Sequence, residues 1–228
     1  MTLKGLQKLT LLDFPGKLAA TVFTGGCNFR CPFCHNASLV IPEKFGETLP
    51  TEEFFAFLQK RRGMLEGVCV SGGEPTLYPD LPDFLRRIKD MGFLVKLDTN
   101  GTNPSMLKSL IDCGLVDYVA MDIKSSKEGY GRAVGIDNYD TSKIEESIEI
   151  LKSGRIDFEF RTTVVRELHS KEDFEAIGKW LAGDCKMFLQ TFIDSGDLIS
   201  SGYSAHSEED MQGFVNILKE YMPNAALR

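Results

Sequence analysis

No stretch of this chain is apolar for long enough to cross a bilayer, and no block of lysine and arginine stands out against a net charge of −7. The first absence excludes a helical membrane span. The second argues against a nucleic-acid footprint. The opening Met1-Thr2-Leu3-Lys4-Gly5 has one lysine and no apolar segment after it, so no secretory leader is expected and the expected compartment is cytoplasmic. Low-complexity linkers and internal repeats are lacking too. The 228 residues, 43% of them hydrophobic, therefore read as a single domain over 1–228, with an N-terminal arm at 1–17 and a C-terminal helix at about 208–221. Of six cysteines, Cys69, Cys113 and Cys185 lie apart in apolar or turn contexts and are expected to be reduced thiols, not a disulfide framework.

The other three cysteines are concentrated. Cys27, Cys31 and Cys34 follow the apolar run Leu18-Ala19-Ala20-Thr21-Val22-Phe23, and no fourth cysteine comes before Cys69. A loop that tight can wrap its thiolates around one metal centre. Three ligands leave one coordination position open, and an open position is where a metal does chemistry. Two readings fit: a zinc knuckle completed by His35, and an iron–sulfur cubane with one exposed iron. His35 directly follows a ligand and would be cramped as a second ligand to the same ion, which favours the cubane.

Short β-branched and apolar runs alternate with amphipathic segments. Strands are expected at 18–23, 67–70, 93–97, 116–121, 157–165 and 186–192, and helices at about 51–62, 80–91, 104–113, 142–152, 171–182 and 208–221. Ser142 with Glu145, Ser170 with Asp173 and Ser207 with Asp210 have capping-box spacing at three helix starts. Leu81, Phe84, Leu85 and Ile88 form an i, i+3, i+4, i+7 stripe that reads as core. Strands interleaved with such helices imply crossover connections and a parallel sheet. Six units fit before Phe192, whereas a closed eight-stranded barrel needs about 250 residues. The expected fold is an α/β, incomplete (β/α)6 TIM-like barrel with mostly parallel strands; a flat doubly wound sheet is the alternative.

Either fold binds ligands at the carboxyl ends of its strands, and the distinctive residues collect there. After the cysteine loop come Ser71-Gly72-Gly73-Glu74-Pro75, Asp98-Thr99-Asn100-Gly101 and Asp122-Ile123-Lys124, then Arg161 on the fifth strand and Gln190 on the sixth. Gly72-Gly73 permits close approach of main chain to a ligand, and Glu74 suits either a ligand ammonium or a local cap. Asp98 and Asp122 repel unless a cation or donor lies between them. Lys124 suits a ligand carboxylate or hydroxyl. Arg161, in an apolar strand, should face the barrel mouth or pair with an acid. Residues 124–140 suit either the lip of a site or a surface loop.

The run Cys27-Asn28-Phe29-Arg30-Cys31-Pro32-Phe33-Cys34-His35-Asn36 resembles the cluster loop of the radical S-adenosylmethionine enzymes, and Gly72-Gly73-Glu74-Pro75 is similar to their methionine-binding turn. The opening Leu11-Leu12-Asp13-Phe14-Pro15-Gly16-Lys17, running into Thr24-Gly25-Gly26-Cys27, sharpens the likeness to activating proteins of glycyl-radical enzymes, the anaerobic ribonucleotide reductase type above all. The resemblance implies one [4Fe–4S] cluster on Cys27, Cys31 and Cys34, with S-adenosylmethionine on its fourth iron. It implies reductive cleavage to a 5′-deoxyadenosyl radical that takes a hydrogen from a glycine of a glycyl-radical enzyme. Gly72, Gly73 and Glu74 would hold the methionyl amine; Asp98, Thr99, Asn100, Lys124 and Gln190 would make further cofactor contacts; Arg161 and Lys124 would join the cysteines in catalysis. A monovalent cation on Asp98 and Asp122 is a further expectation. A flavodoxin- or ferredoxin-type protein would supply electrons. The alternatives are a radical enzyme acting on a small molecule, such as a modified-base precursor, and a non-enzymatic metal-binding module.

Two departures from that pattern stand out. No ferredoxin-like insertion with further cysteine clusters lies between Cys34 and Gly67, so one cluster is expected. The last predicted strand ends Gln190-Thr191-Phe192-Ile193-Asp194, without the histidine of the pyruvate formate-lyase activator.

Overall fold

The computed structural model describes all residues, 1–228. Its frame is one eight-stranded sheet whose spatial order repeats the chain order. The strands are β1 (Leu3–Thr10), β2 (Ala19–Thr24), β3 (Gly67–Gly72), β4 (Leu94–Thr99), β5 (Tyr118–Asp122), β6 (Asp157–Val164), β7 (Lys186–Thr191) and β8 (Asn224–Leu227). β1 runs antiparallel to β2, and every later pair is parallel. β1 and β8 do not pair, so the sheet stays open between them. The result is an incomplete TIM-like barrel, with α1 (Ala37–Val40), α2 (Thr51–Arg61), α3 (Leu81–Asp90), α4 (Pro104–Asp112), α5 (Tyr130–Val134), α6 (Ser142–Lys152), α7 (Lys171–Leu181) and α8 (Glu208–Lys219) in the connections.

The six predicted strands are β2 to β7. Eight of the seventeen residues of the arm at 1–17 form β1, with Leu3 buried, Leu6 half-buried against the core and Gln7, Lys8 and Leu9 exposed. A half-polar edge strand lacks the continuous apolar run that marks strands buried on both faces. β8 was likewise not foreseen, being four residues long.

The helices form for the expected reasons. Leu81, Phe84, Leu85 and Ile88 of α3 are all buried against the sheet. Ser170 and Asp173 complete a reciprocal capping box at α7, and Ser207 accepts from the Asp210 N–H at α8. At α6 the predicted box is displaced. The helix begins on Ser142 itself, and Asp140 accepts from the Ser142 N–H at 3.0 Å.

The barrel floor is closed by charge. Glu159 of β6 is fully buried, accepts from Tyr118 Oη at 2.9 Å, and is gripped by both terminal nitrogens of Arg228, one of them at 2.8 Å. The guanidinium also lies 3.8 Å from the Phe188 ring centroid. Arg228→Ala would leave this carboxylate with one donor, so a loss of about 3 kcal/mol in urea unfolding is expected. Adding Glu159→Gln should recover part of that loss, because the unpaired charge is then gone; no recovery would count against the pairing.

Candidate active site

β2 ends at Thr24, and the next turns bring Cys27, Cys31 and Cys34 over the open ends of the strands. All three line one cavity of about 260 Å³. The loop is fixed from below. The Arg30 N–H donates to the Val134 carbonyl at 3.0 Å, and its guanidinium donates back to Cys27 O and Phe29 O at 2.6 and 2.8 Å. Phe29 is buried against Tyr139 and Tyr130, with centroids 5.3 and 6.4 Å apart. Tyr130 and Val134 are fully buried, so 124–140 carries the floor of the cysteine loop in addition to any surface role. Cys27 Sγ accepts from the Phe29 N–H at 3.4 Å and Asn100 Nδ2 at 3.8 Å.

Burial raises the three thiols. Cys27 is pushed up to about 11, Cys31 to about 12, and Cys34 also upward. Such thiols stay protonated at neutral pH until a cationic centre displaces the protons. Three thiols on one cavity wall, with no fourth cysteine beside them, are the donor set of a cluster with one exposed iron and suit it better than one enclosed zinc.

The glycine turn after β3 meets that loop directly. Gly73 N–H donates to Thr24 O at 2.9 Å and Glu74 N–H to Gly26 O at 2.8 Å. A Cβ on Gly73 would lie 1.9 Å from Gly26 O, and Gly72 has φ +118°. These glycines are required where two main chains touch. Glu74 departs from expectation. Its carboxylate has no exposure and is absent from the cavity wall. It accepts from Thr76 N–H at 3.1 Å, Thr76 Oγ1, Thr99 Oγ1 at 2.7 Å and Asn100 N–H at 2.6 Å. Burial nevertheless holds its carboxyl above the usual range. Glu74 is a local cap tying the β3 and β4 tips together, and of the three residues of the turn Gly72 and Gly73 line the cavity while Glu74 does not.

A chain of alternating charges crosses the cavity base. Lys96 binds Asp98; Arg161 reaches Asp98 Oδ2 at 3.4 Å and Asp122 Oδ1 at 3.0 Å; Lys124 reaches Asp122 Oδ2 at 3.0 Å. Ser71 Oγ donates to Asp98 at 2.9 Å. Burial alone would raise both carboxyls. The Arg161 charge, joined by Lys96 at Asp98 and Lys124 at Asp122, overrides it and holds both below the usual carboxylate range. Burial would likewise lower Lys124, but the Asp122 carboxylate keeps it above an ordinary lysine. Three cations against two carboxylates leave one positive charge. Arg161 bridges Asp98 and Asp122, the two carboxylates on which a monovalent cation was expected, and such a cation is not shown. Arg161 does line the cavity, as do Lys124, Thr99, Asn100 and Gln190.

Sequence reasoning missed Lys96, Asn28 and His169. Lys96 is fully buried, two residues before Asp98 on the same strand face, and that spacing was the available signal. Asn28 accepts from Asn100 Nδ2 at 2.9 Å and donates to Thr102 Oγ1 at 3.0 Å. His169 accepts from the Val165 N–H at 3.0 Å, so its Nε2–H donates to Lys124 O at 2.8 Å, and Phe33 of the cysteine loop packs edge-on at 6.5 Å.

A family model, Radical SAM superfamily, matches residues 21–181, from the second half of β2 through α7. This chain belongs to the radical SAM superfamily. Membership implies a [4Fe–4S] cluster and S-adenosylmethionine, and it makes the chain a radical SAM enzyme. A Methanocaldococcus jannaschii protein carrying the provisional name glycyl-radical enzyme activating enzyme is 33% identical over 98% of this chain and 94% of its own length. The pyruvate formate-lyase-activating enzyme of Clostridium pasteurianum is 31% identical over 55% of this chain and 53% of its own. Among solved structures, Streptococcus suis SuiB bound to precursor peptide SuiA superposes with a TM-score of 0.68 at 15% identity, over 90% of this chain and 47% of that one. That likeness shows the fold alone.

Two outcomes test this geometry. Gly73→Ala should cost about 2 kcal/mol or more in thermal unfolding and lower iron uptake on reconstitution, because neither main chain can retreat; unchanged values would sink the close-approach account. The depressed Asp98 and Asp122 carboxyls bind fewer protons than their unfolded counterparts, whose pKa is about 3.9. Their stabilisation is full above that value and is lost as pH falls towards the folded ones. Asp122→Asn should therefore flatten the acid limb of a plot of Tm against pH.

Proposed function

We propose that this chain is a glycyl-radical-enzyme activase, generating a radical from S-adenosylmethionine and using it to remove a hydrogen from a glycine in a partner protein. The observation that carries the reading is the 33% identity to an activating-enzyme relative across 98% of this chain, β1 and α8 included, beyond the residues of the family core. Partial identity to a pyruvate formate-lyase activator supports it. The open side between β1 and β8 gives a protein segment a way in. The cytoplasm is the compartment that suits reduced thiols, and no helix of the chain is long and apolar enough to cross a membrane.

Cys27, Cys31 and Cys34 would hold the cluster, and main chain at Gly72 and Gly73 would hold the cofactor's amine. When bound, the cluster and S-adenosylmethionine supply one-electron reduction and hydrogen-abstracting chemistry. The protein's part is placement. The residual positive charge of the Lys96–Asp98–Arg161–Asp122–Lys124 chain attracts a carboxylate into the cavity. Asn100 donates toward Cys27 Sγ, which favours the thiolate. Phe23, Phe33 and Val40 form apolar wall that limits water. A flavodoxin- or ferredoxin-type protein is the proposed electron donor.

Anaerobic incubation with reductant, S-adenosylmethionine and candidate glycyl-radical enzymes should give a glycyl radical signal by electron paramagnetic resonance. Cys27→Ala, Cys31→Ala or Cys34→Ala should abolish it, while Cys69→Ala, Cys113→Ala and Cys185→Ala retain it. Full activity in Cys31→Ala would overturn the cluster assignment. Arg161→Lys keeps the charge but loses the fork that spans Asp98 and Asp122. It should keep the cluster while lowering radical yield at least about tenfold, equivalent to about 1.4 kcal/mol. Cofactor cleavage in parallel separates the causes: loss of both signals cofactor positioning, and loss of radical yield alone signals the partner contact.

A further inference from the structure

We propose that the free edge of β1, together with the groove between β1 and α2, docks an extended segment of a partner protein in which acidic and apolar residues alternate, the segment joining the sheet as an added strand. The inference rests on the activase reading only in taking a protein as the partner. Below the bridge from Leu3 to Leu49, no strand pairs with the outer side of β1. The Gln7 side chain donates to Leu9 O at 3.2 Å and the register with β2 shifts between Gln7 and Thr10; the remaining main-chain donors and acceptors of that edge are available. Beside that edge lies a groove of about 390 Å³. Leu6 and Lys8 line it from the strand, and Phe57, Lys60, Arg61 and Met64 from α2 and the turn after it.

Charge and apolar surface both point to the occupant. The groove holds three cations and one carboxylate, Glu53, in a chain whose net charge is −7. None of the three cations is in an ion pair, and neighbouring acids are taken: Glu52 by Arg87 and Glu66 by Lys17. Arg61 leans on the Phe57 ring at 5.5 Å. Four of the eight exposed large apolar side chains of the molecule gather at this end: Leu9 at 54%, Met64 at 61%, Leu11 at 72% and Leu12 at 82%. Met64 lines the groove itself, and Leu9, Leu11 and Leu12 lie on the end of β1 and just past it, so exposed apolar surface accompanies the unpaired edge. An added strand presents every second side chain to the groove, so in an alternating segment the acids meet Lys8, Lys60 and Arg61 there while the apolar residues turn to the opposite face, the side of Leu9, one position along from Lys8. A second copy of this chain fits poorly, since pairing two such edges would set cations against cations. The edge also flanks the unclosed side of the barrel, so a partner segment held here lies beside the route to the cavity.

The test uses the full-length reconstituted protein and a fluorescein-labelled decapeptide alternating glutamate and valine, read by fluorescence anisotropy and by hydrogen exchange. The controls are a lysine–valine peptide and two glutamate–valine peptides N-methylated on alternate residues, one for each phase. The acidic peptide should bind at least about tenfold more tightly than the lysine peptide and weaken as salt rises. At least one N-methylated peptide should lose that binding, amides within 5–9 should be protected, and Lys60→Glu with Arg61→Glu should weaken binding at least about tenfold. Equal binding of all the glutamate peptides without amide protection would overturn the proposal, as would an unaffected double variant. So would a dimer that the double variant dissolves, or capture by phosphatidylglycerol vesicles with no affinity for the acidic peptide. No radical chemistry enters the readout. Failure to form a glycyl radical would therefore sink the activase reading and leave this one standing, and the reverse also holds.

Discussion

Two stretches of main chain, residues 24–26 and 72–74, lie against each other with no side chain between them, and the strand tips depend on that contact. Its hydrogen bonds, from Gly73 N–H to Thr24 O and from Glu74 N–H to Gly26 O, end one residue before Cys27. The first cysteine therefore inherits its position from the β3 turn. Glu74 then carries the connection one strand further, through Thr99 and Asn100 of the β4 tip, and Asn100 returns to Cys27 Sγ. The circuit is closed by polar contacts that are almost all buried, where a hydrogen bond is worth most and an orphaned group costs most. A loop that must present three thiols to one centre cannot be held by loop residues alone; here it is held by neighbouring strands.

The charge chain beneath it obeys a different constraint. Five ionised side chains are expensive to withdraw from water, and no pair among them is isolated: each carboxylate touches two cations, and Arg161 touches both carboxylates. Alternation of sign limits the cost, and the odd count leaves a net positive field at the cavity floor. Lys96 supplies the counter-charge at the buried end, so the guanidinium of Arg161 is not fully committed to Asp98, and its longer contact of 3.4 Å reflects that. The arrangement fixes the side chains before any ligand arrives, the condition under which electrostatic stabilisation needs little reorganisation.

Much of this was legible in the sequence because strong local patterns coincide with the tertiary outcome. The β2 to β7 strands are apolar runs, α3 is a clean stripe, and the cysteine spacing needs no long-range information. Glu74 was legible as a position, with its role left open between a ligand contact and a local cap: its four donors come from Thr76, Thr99 and Asn100, and β4 stands next to β3 only once the sheet forms. Lys96 was hidden by its neighbours, since a lysine between Val95 and Leu97 reads as a strand's solvent face when the interior of the barrel is not known to be charged. His169 interacts through backbone atoms of Val165 and Lys124, which leave no signature in residue identity. β1 escaped because an edge strand is specified by its partner more than by its own composition.

The barrel is asymmetric in a way that suits its chemistry. At the floor, Glu159, Tyr118 and Arg228 close the lumen with paired charge, and Phe14 covers the neighbouring Gly67 closely enough that a Cβ there would meet its ring at 2.8 Å. At the side, β1 and β8 leave the wall incomplete. A closed eight-stranded barrel would seal both and admit only what passes through the loops at the top. Leaving the side open exposes a strand edge, a liability that most proteins shorten, bulge or cover. Here β1 is eight residues long; its register with β2 shifts twice, between Leu3 and Gly5 and between Gln7 and Thr10, yet its outer edge stays uncovered, with Lys8 among the charged and apolar residues of its free end. On the activase reading that exposure has a use, because the substrate is itself a folded chain. On that reading an unclosed wall excludes water and competing small molecules fully only when the partner fills the gap, which ties radical formation to the presence of the glycine it must act on.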